Sequence, residues 1–164
     1  MDERVPASSG ELGPELTMLR QLWRVNHAML RMSHRMAATI GVTAQQRLLL
    51  RVVARAPGIA PVAVARLLVL DEGTVSTAVS RLVGAGLLER TRSTLDHRRH
   101  ELVVTPAGLA LLDLPGPTVE GSVADLLGGT AASDLAAVGE VLGGLADRLE
   151  RALDDPLADR SDGR

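Results

Sequence analysis

The sequence predicts a mainly helical fold with one small β-hairpin, on three observations. Apolar residues recur at spacings of three and four over most of the chain; capping residues and glycines mark helix starts and stops; and after Gly86 this period breaks into two short apolar runs around a charged loop. At 164 residues the expectation is one domain, or one compact domain with extra helices, long enough to bury most of its apolar surface.

The elements follow in order. From about Pro14 to Ile40, Met18, Leu22, Val25, Met29, Met32 and Met36 form an amphipathic stripe, which predicts a long first helix stopped by Gly41. At about 100° per residue, Arg20, Arg24, His27, Arg31, His34 and Arg35 share the opposite face. Such a face is solvated, pairs with acids elsewhere, or walls an anion pocket. "TAQQ", Thr43 to Gln46, is a capping box opening a second helix that "PG" stops. A third helix starts near Pro61, and a fourth spans Asp71 to Gly84, with Asp71 as cap and "GAG" as exit.

"LLERT" and "ELVVT" then read as the strands of a hairpin with a long basic tip. Thr105 and Pro106 restart a helix, which Pro115, Gly116 and Pro117 interrupt. The last helix, roughly Ala132 to Leu153, carries a seam of Leu135, Val138, Leu142, Leu145 and Leu149 with acids on its other side, a pattern that predicts pairing with a second copy of the chain. The tails, residues 1–13 and 155–164, have too little apolar content to order themselves.

Composition excludes several functions. Without cysteine the chain has no disulfide, thiolate ligand or thiol redox chemistry. No apolar run approaches a membrane span, and "MDERVPASSGELG" carries acid where a signal peptide carries base, so the expected location is cytoplasmic. All eighteen basic residues are Arg and Trp23 is the one aromatic, so the choice of Arg over Lys carries less meaning than usual.

The net charge of −2 conceals an asymmetry: Met1 to Leu19 has one Arg and four acids (−3), Arg20 to Thr105 thirteen Arg and five acids (+8), and Pro106 to Arg164 four Arg and eleven acids (−7). A basic middle between acidic ends points to a nucleic-acid partner, unless the halves neutralise one another within the fold. Helix, tight turn, helix and basic hairpin is the layout of a winged helix-turn-helix, whose second helix enters the major groove. Here that helix turns Thr74, Ser76, Thr77 and Ser80 outward, small hydroxylic side chains that allow close approach to base edges and phosphates. Arg81, Arg90 and Arg92 are placed for phosphates, and Arg98 and Arg99 at the tip for a minor groove, with Asp96 steadying an Arg.

At this point the chain resembles the multiple antibiotic resistance regulator (MarR) family of dimeric transcription factors. The resemblance covers Gly41 to Leu112 and is most specific in "GLLERTRSTLDHRRHELVVTPAG", similar to the family wing with its Gly-Leu strand start, Asp-x-Arg tip and Thr-Pro-x-Gly helix start. It implies that Asp96 steadies the wing tip while Arg98 enters the minor groove, and that Thr74, Ser76, Thr77, Ser80 and Arg81 lie on the recognition helix. It further implies that residues 43–106 form the DNA-binding domain, and that 14–42 and 107–154 supply dimerisation helices with an effector site between that layer and the reading domain. His97 stands where the wing often has Arg or Lys, Glu72 where the recognition helix often begins with a basic or small polar residue, and "DLPGPTVEGS" interrupts a usually unbroken helix.

The expected function is therefore a homodimeric, sequence-specific repressor bound to a pseudo-palindromic double-stranded operator and released by a small ligand, with an anion near Arg24, His27 and Arg31 as the candidate effector contact. No cofactor, metal or membrane partner is expected. Catalysis has no motif to stand on. Zinc would have to use local pairs such as His97 with His100, or His27 with His34, which lack third and fourth ligands. A winged-helix module that binds another protein instead of DNA is the alternative, and Glu72 is the feature that favours it.

Overall fold

The computed structural model describes residues 12–92 and 100–154. Among these the elements are α1 (Gly13–Ile40), α2 (Ala44–Arg55), α3 (Pro61–Leu68), α4 (Glu72–Gly84), β1 (Leu88–Arg92), β2 (His100–Val104), α5 (Pro106–Leu112), α6 (Val119–Gly128) and α7 (Ala132–Asp154). The chain divides after Glu120 into two compact units.

Local chemistry sets the boundaries in the first unit. Gly41, at φ 78°, ends α1 in the left-handed conformation that glycine adopts without cost. The predicted capping box forms: the Thr43 hydroxyl accepts from Gln46 N at 3.2 Å while Thr43 N donates to Gln46 Oε1 at 2.9 Å. Pro61 occupies the first turn of α3, where a missing N–H costs nothing. Between α3 and α4 the chain turns at Val69, whose φ of 52° is unusual for a β-branched residue.

The core lies where α2, α3, α4 and the hairpin converge. Leu49, Leu50 and Val53 of α2, Val64 and Ala65 of α3, and Val75, Ala78, Val79 and Leu82 of α4 close over Leu88 and Leu102 of the strands. Each large apolar side chain buried here contributes about 1.5–3 kcal/mol. β1 and β2 pair antiparallel from Leu88 opposite Val104 to Arg92 opposite His100. The sequence did not reveal a third partner: Gly58 N donates to Leu102 O at 2.9 Å and Leu102 N to Ile59 O at 3.0 Å, which stitches the α2–α3 connection to the wing.

Thr105 joins the hairpin to α5. Its hydroxyl donates to Gly86 O at 2.7 Å and accepts from Gly108 N at 3.0 Å. The two backbones come so close that a Cβ on Gly108 would lie 2.2 Å from Leu87 O and 2.6 Å from Val104 Cγ1. α5 ends at Leu112, before the Pro-Gly-Pro break, and a separate helix, α6, follows it.

In the second unit, α7 has no buried residue. Of its predicted seam, Val138, Leu142 and Leu149 are exposed and Leu135 and Leu145 half-buried. No helix among the described residues is long and apolar enough to cross a membrane.

Candidate nucleic-acid interface

α4 sorts its residues by burial. Val75, Ala78, Val79 and Leu82 face the core, and Glu72, Ser76, Thr77, Ser80 and Arg81 are exposed, with Thr74 half-buried. The predicted outward face is therefore present, but its hydroxyls are not equivalent. Asp71 accepts from Thr74 N at 2.7 Å and also from the Thr74 hydroxyl, so Thr74 is tied into the cap. The Thr74 hydroxyl and backbone N–H hold the Asp71 carboxyl below the usual carboxylate range. Ser80 donates its hydroxyl to Ser76 O at 2.9 Å, an internal bond one turn back. The side chains of Ser76, Thr77 and Arg81 have no hydrogen-bond or ion-pair partner among the described residues.

At about 100° per residue these groups fall on two flanks of the ridge. Thr77 and Arg81 look into a groove of about 440 Å³ shared with Thr43, Gln45 and Gln46 at the start of α2. Glu72 and Ser76 look into a second groove of about 620 Å³, rimmed by Pro61 and Arg66 of α3, Arg90 of β1 and His100 of β2.

The strand register explains the basic rim of that second groove. Cross-strand partners share a face of the sheet, so Arg90 opposite Leu102 and Arg92 opposite His100 continue the face whose inner end is buried Leu88 opposite Val104. The face thus passes from core to cation as it leaves the protein. His100 Nδ1 is buried and has no hydrogen-bond partner among the described residues. Asp96, His97, Arg98 and Arg99, expected at the wing tip, lie outside the described residues.

Arg24, His27 and Arg31 are exposed on α1, Arg24 donating to Gln21 Oε1 at 3.4 Å, and they line neither groove. Among the described residues no three His, Asp or Glu side chains are arranged to hold a metal ion. A site the sequence reading missed lies behind α2, where Arg47 is buried. Its guanidinium donates to Glu120 Oε1, to Leu111 O at 2.7 Å and to Leu112 O at 2.8 Å, and Arg51 reaches the same Glu120 oxygen at 3.0 Å. Its partners lie 64 to 73 residues away, so no local pattern signals it.

A three-helix reading head, a β-wing at its edge, and an outward helix of small hydroxylic side chains flanked by Arg define a winged helix-turn-helix protein. The MarR family model matches residues 40–99, which run from the end of α1 to the wing. Over those residues, fewer than half of the chain, the sequence is similar to the MarR family.

Among solved structures, the fold is similar to FabT of Streptococcus pneumoniae in complex with DNA (23% identity, 84% of this chain and 99% of that one, TM-score 0.62). It is similar also to the PcaV regulator of Streptomyces coelicolor in complex with its natural ligand (25% identity, 87% and 98%, TM-score 0.63). A third similar structure is the regulator SlyA (20% identity, 84% and 96%, TM-score 0.66). No curated protein sequence matches the chain.

Proposed function

We propose that this protein is a homodimeric repressor that binds a pseudo-palindromic operator and leaves it when a small ligand binds. The observation that carries the reading is the outward side of α4. The side chains of Ser76, Thr77 and Arg81 have no intramolecular partner among the described residues and stand between two grooves, one of them bordered by Arg66 and Arg90. In this reading Ser76 and Thr77 meet base edges, Arg81, Arg90 and Arg92 meet phosphates, and Arg98 enters the minor groove beside Asp96, His97 and Arg99. Thr74 and Ser80, their hydroxyls already engaged, serve as close-packed surface against the DNA backbone.

The dimer is supported by apolar side chains that a single copy leaves in water. α1 exposes Leu16, Leu19, Leu30 and Trp23, the last at 71%, and α7 exposes Val138, Val141, Leu142 and Leu149. Two-fold pairing would set the recognition helices about 34 Å apart on one face of the duplex. Release by a ligand requires that the ligand prefer the unbound spacing of the two heads. FabT with DNA and PcaV with its ligand are precedents within the same fold, and the effector contact proposed for this chain is the Arg24, His27 and Arg31 face.

The test is selection of bound fragments from the source genome by the purified full chain, followed by titration at two salt concentrations beside Arg98→Ala. A short inverted repeat is expected, bound with a clear salt slope that falls by about 0.9 for each phosphate contact removed. Weak binding indifferent to sequence, with Arg98→Ala unchanged, would overturn the proposal in favour of a module that binds another protein.

A further inference from the structure

Two acids stand at the start of α4, and the structure gives them different situations. The Asp71 carboxylate is occupied by the backbone N–H and the hydroxyl of Thr74. The Glu72 carboxylate is exposed and has no hydrogen-bond or ion-pair partner among the described residues, although Arg66, Arg90 and His100 line the same groove. An acid neutralised by one of those cations would be ordinary surface. A free acid inside a basic groove on the leading end of a recognition helix would repel any phosphate it met.

We infer that Glu72 is a base-reading residue that accepts a hydrogen bond from the exocyclic amino group of a cytosine in the major groove, and so dictates a C·G pair under the start of α4 in each half-site. This inference rests on the DNA-reading function proposed above. The first residues of a recognition helix are those that meet base edges, and Glu72 is the first residue of α4. A carboxylate only accepts hydrogen bonds. In the major groove guanine presents two acceptors, thymine an acceptor and a methyl, and adenine an amino group beside the N7 acceptor. Cytosine alone offers a donor without an acceptor beside it on the same base. Ser76, one turn along the same flank, can donate or accept at the neighbouring pair, while Arg66 and Arg90 on the rim draw the flanking phosphates and keep the acid directed at the base.

The experiment is selection of sites from a randomised pool of double-stranded DNA by the full chain and by Glu72→Gln and Glu72→Ala, with thermal melting to confirm that both variants fold. The parent is expected to select an inverted repeat with C at one position per half-site. Glu72→Gln should shift that position towards adenine, because an amide pairs with both N6 and N7, and Glu72→Ala should relax it, discrimination falling between about fivefold and about a hundredfold. An unchanged motif, or variants that bind every sequence uniformly tighter because a repulsive charge has gone, would overturn the inference and leave the DNA-reading function standing. If the parent selects no motif, the proposed function falls and this inference falls with it.

Discussion

Arg47 of α2 and Glu120 in the first turn of α6 form an ion pair across the break that separates α5 from α6. The Arg47 side chain is 2% exposed, and its two other donors take the final carbonyls of α5, Leu111 O and Leu112 O. One guanidinium therefore satisfies the exposed acceptors at a helix end, favours the negative end of that helix, and holds the acid of the next. The Pro-Gly-Pro interruption is thereby anchored to the reading head.

Removing either partner should be costly. Arg47→Ala leaves two carbonyls without their donor and a partly buried carboxylate with Arg51 alone, and is expected to lower the unfolding free energy by about 3–5 kcal/mol, read from urea titration. Glu120→Gln keeps the shape and should cost less, while the Arg47→Met, Glu120→Leu pair should recover part of the loss. Equal losses for all three would mean that packing, not charge, holds the break.

Acidification should weaken the same contact. Burial pushes the Glu120 carboxyl up, but hydrogen bonds from Arg47 and Arg51 and the charge of Arg47 outweigh it, so the group sits below its ordinary 4.5. A carboxyl whose folded-state value is depressed contributes stability that is full above its ordinary value and is lost as pH falls through the folded-state value. Stability is expected to decline below about pH 4.5, and Glu120→Gln should flatten that decline in a series of unfolding curves.

Gly108, buried at the start of α5, should be among the most damaging sites for a single added methyl. The added methyl would meet Leu87 O at 2.2 Å and Val104 Cγ1 at 2.6 Å, so either α5 or the adjoining base of the hairpin must move. A loss of about 3 kcal/mol or more is expected from chemical denaturation. A loss below about 1 kcal/mol would show that the Thr105 junction yields more easily than its hydrogen bonds suggest.

Val69 should respond in the opposite sense. It holds φ 52° while 81% exposed, so its side chain has little packing to lose. Left-handed backbone costs a residue with a Cβ about 1–2 kcal/mol, and glycine returns part of this to the unfolded chain as entropy. Val69→Gly is expected to stabilise by about 0.5–1 kcal/mol on the urea midpoint. Destabilisation would mean that Val69 makes contacts in a larger assembly.

The hydroxyls of α4 should divide into two groups when titrated against the selected operator. Ser76→Ala and Thr77→Ala remove free donors and should each weaken binding by about 1 kcal/mol. Ser80→Ala removes a group already bonded to Ser76 O and should change little. Equal effects at Ser80 and Thr77 would show that the internal bond breaks on binding.

The sequence by itself determined the order, kind and approximate ends of most elements, because those depend on neighbours. Thr43 and Gln46 cap each other three residues apart, Asp71 caps at Thr74, Thr105 at Gly108, and Gly41 needs only its own conformational freedom. It also determined that α4 turns a hydroxylic face outward, since helical period and polarity suffice for that. What remained for the tertiary structure were contacts between residues far apart in the chain or choices among equivalent groups. Arg47 reads as one more surface cation until the fold brings Glu120 and the end of α5 to it. Ile59 reads as loop until Leu102 pairs with it. Thr74, Ser76, Thr77 and Ser80 are alike in sequence, and only atomic geometry separates those already hydrogen-bonded from those left to face a partner. Hydrogen bonds and ion pairs act over a few ångströms, so their partners are legible in sequence only where the chain itself keeps those few ångströms short.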